Sequence, residues 1–161
     1  MGSSFTLRLK KEVKNNSTRI SEVLREGYIV AQRMNDVSAL NWIKSELRGY
    51  GSISDVPEYR KLNGKIHIFD FHKGYVPVNI SDRELKVCKS VPLSVKELEE
   101  FVYLKPDKFM VLKCPRLERQ LKNGVILVEK DEVEKSLKHI RSKFLSWVED
   151  LEEKDILMTV V

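Results

Sequence analysis

The first third of the chain carries a helical pattern of apolar residues. From Ser17 to Met34 these residues recur at intervals of three and four, which predicts an amphipathic helix capped by Ser17 or Thr18. A second helix is predicted from Val37 to Arg48, and Gly49 follows it at the position where a glycine commonly ends a helix. Because the connection is short, the two helices should form an antiparallel hairpin.

The middle of the chain changes to the pattern of a β-sheet. β-branched and aromatic residues concentrate between Lys65 and His72, and the segment from Tyr75 to Ile80 should be the partner strand. Ser94 and Glu97 have the spacing of a capping box, which predicts the start of a helix that continues to Leu104. Two more strands and a short helix are predicted at residues 109–112, 125–128 and 116–122.

The last part of the chain predicts a long helix that begins near Asp131. It spans about 23 residues, or about 35 Å, and therefore outruns a small sheet. Its apolar stripe comprises Val133, Leu137, Ile140, Phe144, Trp147 or Val148, and Leu151. We expect the end of this helix to meet a second copy of the chain or a following domain, or to be solvated.

Together these elements predict an α+β fold with an N-terminal helical hairpin, a small mostly antiparallel sheet and a long C-terminal helix. The 161 residues are enough for one domain. We expect that domain at residues 17–153, with an N-terminal extension at 1–16 and a C-terminal tail or truncated linker at 154–161.

Composition is that of an ordinary globular protein. A net charge of +5 permits contact with nucleic acid but does not require it. Cys88 and Cys114 lie far apart and outside any C-x-x-C motif, which favours a cytoplasmic protein with free thiols. No apolar run approaches the roughly 18 residues of a membrane span. We therefore expect no membrane association, no metal and no cofactor.

The stretch WIKSELRGY, followed by PEYR, holds the most distinctive residues. Trp42 and Glu46 are four apart and share a helix face, and Tyr50 can fold back over the last turn. A buried Glu46 needs a cation, which Arg60 or Arg141 can supply. We predict a polar staple between the hairpin and the sheet. A ligand pocket with Arg60 as an anion clamp and a catalytic site are the alternatives.

The three histidines, His67, His72 and His139, predict no shared metal site. On one strand His67 and His72 would face opposite sides of the sheet. Arg60 followed by His67 resembles the active motif of HEPN-type ribonucleases, but the intervening Gly64 and a strand position for the histidine depart from that motif. For Asp70 we expect a structural contact rather than a role as general acid.

The same residues resemble the AbiTii domain family. The resemblance rests on W-I-x-x-E-L-x-G-Y, on P-E-Y-R with a following glycine, and on an I-R-x-x-x-L helix after an apolar strand. It implies an accessory domain of bacterial and archaeal conflict proteins, sometimes joined to an effector. It implies no catalytic residue. The signature positions are Trp42, Glu46, Gly49, Tyr50, Pro57, Tyr59, Arg60 and Arg141.

From this resemblance we predict a non-catalytic protein-interaction or adaptor domain of an antiphage defence protein. It should self-associate along its long helix and work beside a fused or adjacent effector. The first alternative is a nucleic-acid-binding module that uses a basic set, namely Lys105, Lys108, Lys113, Arg116, Arg119 and Lys122. The second alternative is a ribonuclease toxin that uses Arg60 and His67.

Overall fold

A computed structural model describes residues 2–81 and 83–160, with side chains for 5–81, 83 and 85–154. It has the predicted α+β fold: helices at the N-terminus, a small antiparallel sheet and a long C-terminal helix. The six α-helices are α1 (Gly2–Lys14), α2 (Ile20–Arg33), α3 (Val37–Arg48), α4 (Val95–Glu99), α5 (Pro115–Gln120) and α6 (Lys130–Val160). The seven strands are β1 (Lys61–Asp70), β2 (Gly74–Pro77), β3 (Asn79–Ile80), β4 (Arg83–Glu84), β5 (Lys86–Ser90), β6 (Phe109–Leu112) and β7 (Gly124–Glu129).

The chain divides into two compact units, each built from separate stretches of sequence. The first contains Met1–Gly51, Leu93–Glu99 and Leu137–Val161, and the second contains Ser52–Pro92 and Glu100–Ser136. The first unit is helical and the second holds the sheet.

In the helical unit, α1 is an element that the sequence pattern did not predict. Thr6, Leu9 and Val13 lie on its buried face at spacings of three and four. One position of this face is a threonine, and several lysines lie between its apolar residues. The helical period of apolar residues is therefore weak in the sequence. The segment expected as an N-terminal extension is therefore a helix with its own buried face, and Met1 lies outside the described residues.

Helix α2 begins later than predicted and is capped differently. Arg19 occupies the cap position, and its side chain makes no capping hydrogen bond. The buried carboxylate of Glu99 instead accepts a hydrogen bond from the Ser21 amide, 3.3 Å away. A free amide at a helix start needs an acceptor, and here α4 supplies it, so the prediction of Ser17 or Thr18 as cap was wrong.

A glycine lets α2 and α6 approach closely. A Cβ added to Gly27 would lie 2.4 Å from Cε2 of Phe144, whose ring is fully buried. Phe144 also stacks on Trp147 at 5.4 Å between ring centroids. The absence of a side chain at Gly27 therefore makes room for the aromatic core of this unit.

In the other unit, all strand pairs are antiparallel, as predicted. The sheet has the order β2-β1-β7-β6, and β5 pairs with the first half of β1. Strand β1 starts four residues earlier than expected because β5, which was not predicted, pairs with it from Lys61 onward. The predicted partner segment after the turn splits into β2 and the short β3.

The sheet has one buried face and one open face. Leu62, Ile66, Met110, Ile126 and Val128 are at most 8% exposed and form the buried face. The residues between them in each strand point to the opposite side. That face carries charged and aromatic side chains around two buried residues of β7, Val125 and Leu127.

Candidate functional site

The signature residues of α3 form a local cluster in the helical unit. Tyr50 folds back as predicted, and its hydroxyl donates a 2.7 Å hydrogen bond to Oε1 of Glu46, which is fully buried. Gly49 ends the helix with a φ of 91°, a conformation that favours glycine. The ammonium of Lys143 lies 4.7 Å from the centre of the Trp42 ring, a cation–π contact.

The P-E-Y-R residues form a tight turn that leads into β1. Pro57 precedes a single turn of 3₁₀ helix, Glu58–Arg60, and the Arg60 amide donates to the Pro57 carbonyl at 2.9 Å. Arg60 is fully buried, and its carbonyl accepts a hydrogen bond from the Val91 amide at 3.0 Å. Tyr59 is half-buried. The pairing of Glu46 with a guanidinium remains a prediction, consistent with the rule that buried charges need partners.

Arg141 fixes the segment that connects α1 to α2. Its guanidinium donates to the backbone carbonyls of Val13 at 2.7 Å, Asn15 at 3.3 Å and Thr18 at 2.6 Å. The last carbonyls of a helix lack partners within the helix, and a cation there also complements the helix dipole. This signature arginine therefore caps the end of α1, a role that the sequence pattern did not reveal.

The histidines do not converge. His67 lies in β1, whereas His72 lies in the turn after the strand, so the expectation that both occupy one strand was wrong. The Asp70 carboxylate accepts hydrogen bonds from the His72 amide at 2.7 Å and the Lys73 amide at 3.1 Å. Asp70 thus stabilises the turn. Within the residues described, no cluster of His, Cys, Asp and Glu side chains has the composition of a metal site.

The open face of the sheet contains a concave surface. A cleft of about 560 Å³ is lined by Asn63, Lys65, His67, Lys86, Phe109 and Glu129, among others. Register places Lys65 directly opposite Lys86, and Phe109 directly opposite Glu129. One side of the cleft is therefore basic, and the other combines an aromatic ring with a carboxylate. The alternation of residues from Lys65 to Phe69 predicted which side chains share one face of the sheet. It did not predict which strands lie next to each other.

An aromatic cluster lies at the β1–β2 hairpin. The Phe69 ring packs against Phe71 and Tyr75, with centroid distances of 5.4 and 5.2 Å. Phe71 is 86% exposed and Tyr75 is 45% exposed. Exposed aromatic rings that are already held in place by a neighbouring ring are typical of protein contact surfaces.

The basic set is exposed but divided. All six side chains reach solvent. Lys105 and Lys108 precede β6, whereas the other four follow it along Lys113 to Lys122. Glu118 interrupts the second group within α5. A continuous basic track for a phosphate backbone is therefore not evident in these residues.

The apolar stripe of α6 is buried by the chain itself. Val133, Ile140, Phe144 and Val148 have no exposed surface, and Leu137 and Leu151 are at most 5% exposed. The expectation that a second chain covers this stripe was therefore wrong. The helix continues to Val160, beyond the predicted end, and the side chains after Lys154 lie outside the described part.

A family model named AbiTii matches residues 5–160, almost the entire chain. The chain belongs to the AbiTii family. The match includes α1, which the sequence resemblance did not cover. The AbiTii name connects the chain with abortive infection, a form of defence against phage. No curated protein and no solved structure matches it significantly.

None of the helices in the described residues of this AbiTii chain combines the length and apolar character needed to cross a membrane.

Proposed function

We propose that this AbiTii chain is a non-catalytic protein-interaction domain of an antiphage defence protein, and that it self-associates through strand β2. The observation that carries the proposal is the contrast between the outer strands of the sheet. An outer strand offers unpaired backbone groups to another chain, and proteins commonly protect it with lysines.

Two of the outer strands carry that protection. Lys108 and Lys113 flank β6, and β5 contains Lys86 and Lys89. Strand β2, Gly74-Tyr75-Val76-Pro77, carries no charge and exposes both Tyr75 and Val76. The backbone groups of Tyr75 and Pro77 point away from β1, and Pro77 has no N–H to donate. Two copies of β2 can therefore pair antiparallel around a two-fold axis at Tyr75, and two-fold symmetry is that of most homodimers.

The neighbouring aromatic cluster supplies part of the apolar area that such a dimer needs. A fully buried aromatic side chain contributes about 150–250 Å², so at 86% and 45% exposure Phe71 and Tyr75 from two copies contribute about 400–650 Å². A standard interface removes about 1,600 Å². Val76 and Ile80, at 37% and 58% exposure, and the backbone of the paired strands add to this area.

The burial of Arg60 weighs against the ribonuclease alternative. A catalytic arginine has to contact the phosphate of its substrate, whereas Arg60 has no exposed surface. The divided basic set likewise gives little support to binding of a long nucleic acid. Protein contact is therefore the function that the exposed residues support best.

Sedimentation equilibrium tests the proposal. The unmodified chain should have twice the 18.8 kDa mass of one copy, and Val76→Lys should restore the single mass by charging the β2 edge. Ile29→Lys, at a residue of 47% exposure on α2, is the matched control and should leave the dimer intact. A single-copy mass for the unmodified chain at its highest soluble concentration would contradict self-association.

A further inference from the structure

The outer edge of β6 carries backbone groups whose direction is fixed by the sheet. Among the described strands, β6 is the last of its row and pairs only with β7. The Lys130 amide donates to the Lys108 carbonyl at 3.3 Å, so these two opposite residues form a hydrogen-bonded pair. Bonded and non-bonded pairs alternate along an antiparallel ladder. The amides and carbonyls of Phe109 and Val111 therefore point away from β7, toward the outer edge.

Phe109 and Val111 also present apolar side chains along this edge. Both lie on the open face of the sheet, at 40% and 39% exposure. Each borders a cavity of that face, with volumes of about 560 and 310 Å³. In an added strand, the residues opposite Phe109 and Val111 would place their side chains on the same face. Apolar residues at those positions would cover the two exposed side chains.

Two lysines determine which partner fits this edge. Lys108 precedes β6 and Lys113 follows it, and both side chains are exposed. Within the described residues neither of them forms an ion pair, and Glu118 lines a cavity with Lys113 without pairing with it. Two β6 edges from different copies would bring four lysines together, which disfavours self-pairing. Carboxylates at the matching positions of a different chain would be attracted instead.

We propose that the β6 edge binds an extended acidic segment of a partner protein as an additional antiparallel strand. Strand addition takes its affinity from main-chain hydrogen bonds and its specificity from alternate side chains. An acidic residue opposite Lys113 comes first in the segment, apolar residues opposite Val111 and Phe109 come third and fifth, and an acidic residue opposite Lys108 comes sixth. The expected pattern is acidic-x-apolar-x-apolar-acidic.

This contact should be weak, and it does not depend on self-association. Strand β6 has four residues, and interfaces smaller than about 1,200 Å² are typical of transient complexes. Strands β2 and β6 lie at opposite ends of the strand order. A dimer formed through β2 therefore leaves the β6 edge accessible to a different chain.

Fluorescence anisotropy tests the proposal with the full chain and a labelled peptide of sequence Gly-Glu-Thr-Val-Thr-Val-Glu-Gly. The peptide should bind, and Lys113→Glu should weaken binding roughly fivefold, because an attraction of about 0.2–1 kcal/mol becomes a repulsion of similar size. Lys122→Glu makes the same change at an exposed residue outside β6 and its flanking lysines, and it should leave the affinity unchanged.

Two altered peptides separate strand addition from simple charge attraction. N-methylation of both valines keeps the charges but removes the amides that would donate to Phe109 and Val111, so it should abolish binding. A peptide with lysines in place of both glutamates should bind only a chain that carries Lys108→Glu and Lys113→Glu together.

Val76→Lys changes the β2 edge and should leave peptide binding unchanged. Dissociation of the dimer by the peptide would identify a second copy as the occupant of the β6 edge and would overturn the proposal. Undiminished binding of the N-methylated peptide, equal losses in Lys113→Glu and Lys122→Glu, or no binding at the highest soluble concentration of the chain would overturn it as well. A single-copy mass for the unmodified chain would count against self-association alone.

Discussion

Replacing Arg141 by methionine should loosen the helical unit. The substitution keeps the aliphatic part of the side chain but removes the guanidinium, which donates to the carbonyls of Val13, Asn15 and Thr18. Hydrogen bonds from charged groups contribute about 1.5–3 kcal/mol each. Two of the three bonds are partly buried and short, and the bond to Asn15 is exposed and longer.

The expected loss follows from those geometries. Two partly buried bonds would give about 3–6 kcal/mol, and water can replace part of that, so we expect about 3 kcal/mol. For a chain of this size each kcal/mol shifts the melting temperature by about 2–4 °C. Arg141→Met should therefore melt about 6–12 °C lower. Arg141→Lys should restore only part of the lost stability, because an ammonium group lacks the paired, planar N–H donors of a guanidinium.

Thermal unfolding followed by circular dichroism measures the shift, and Lys138→Met on the same helix is the control. Lys138 is exposed, so its replacement should change stability by no more than about 0.5 kcal/mol. Because all three carbonyls lie between residues 13 and 18, hydrogen exchange should increase first in α1. Equal melting temperatures for Arg141→Met and Lys138→Met would refute the assigned role.

Two further predictions concern the same unit. The hydrogen bond from Trp147 Nε1, at 2.9 Å, followed by that from the Ala39 amide, lowers the pKa of the Asp36 carboxyl. Its stabilisation is therefore complete above the unfolded pKa of about 3.9 and is lost as pH falls through the lower folded value. Asp36→Ala should cost about 1–2 kcal/mol at neutral pH, and urea unfolding should show this cost shrinking below pH 4; a constant difference would argue against the ionised contact. Gly27→Ala should cost about 1–3 kcal/mol through its clash with Phe144, although alanine alone favours a helix by about 1 kcal/mol. Phe144→Leu in the same chain should remove most of that added cost in a double-mutant cycle, and full additivity would show that the two residues do not interact.

The sequence by itself determined the elements whose signals are local. The helical period predicted α2 and α3, and Gly49 ends α3 as expected because its φ of 91° suits glycine. The capping box is present, since the Glu97 amide donates to Ser94 Oγ and the Ser94 amide donates to the Glu97 carboxylate, both at 3.2 Å. The motif around Trp42 and Arg141 was sufficient for the family. Each of these signals depends on residues that are close together in the sequence, or on residue types alone.

Tertiary structure decided which surfaces meet. Strand β5 alternates only weakly, and its place beside β1 depends on backbone pairing that residue types do not specify. The partners of Arg141 lie more than 120 residues away in the chain. The apolar pattern of α6 is the same whether a second chain or the rest of its own chain buries it. A periodic pattern states that a face must be buried, but only the arrangement of distant segments determines what buries it.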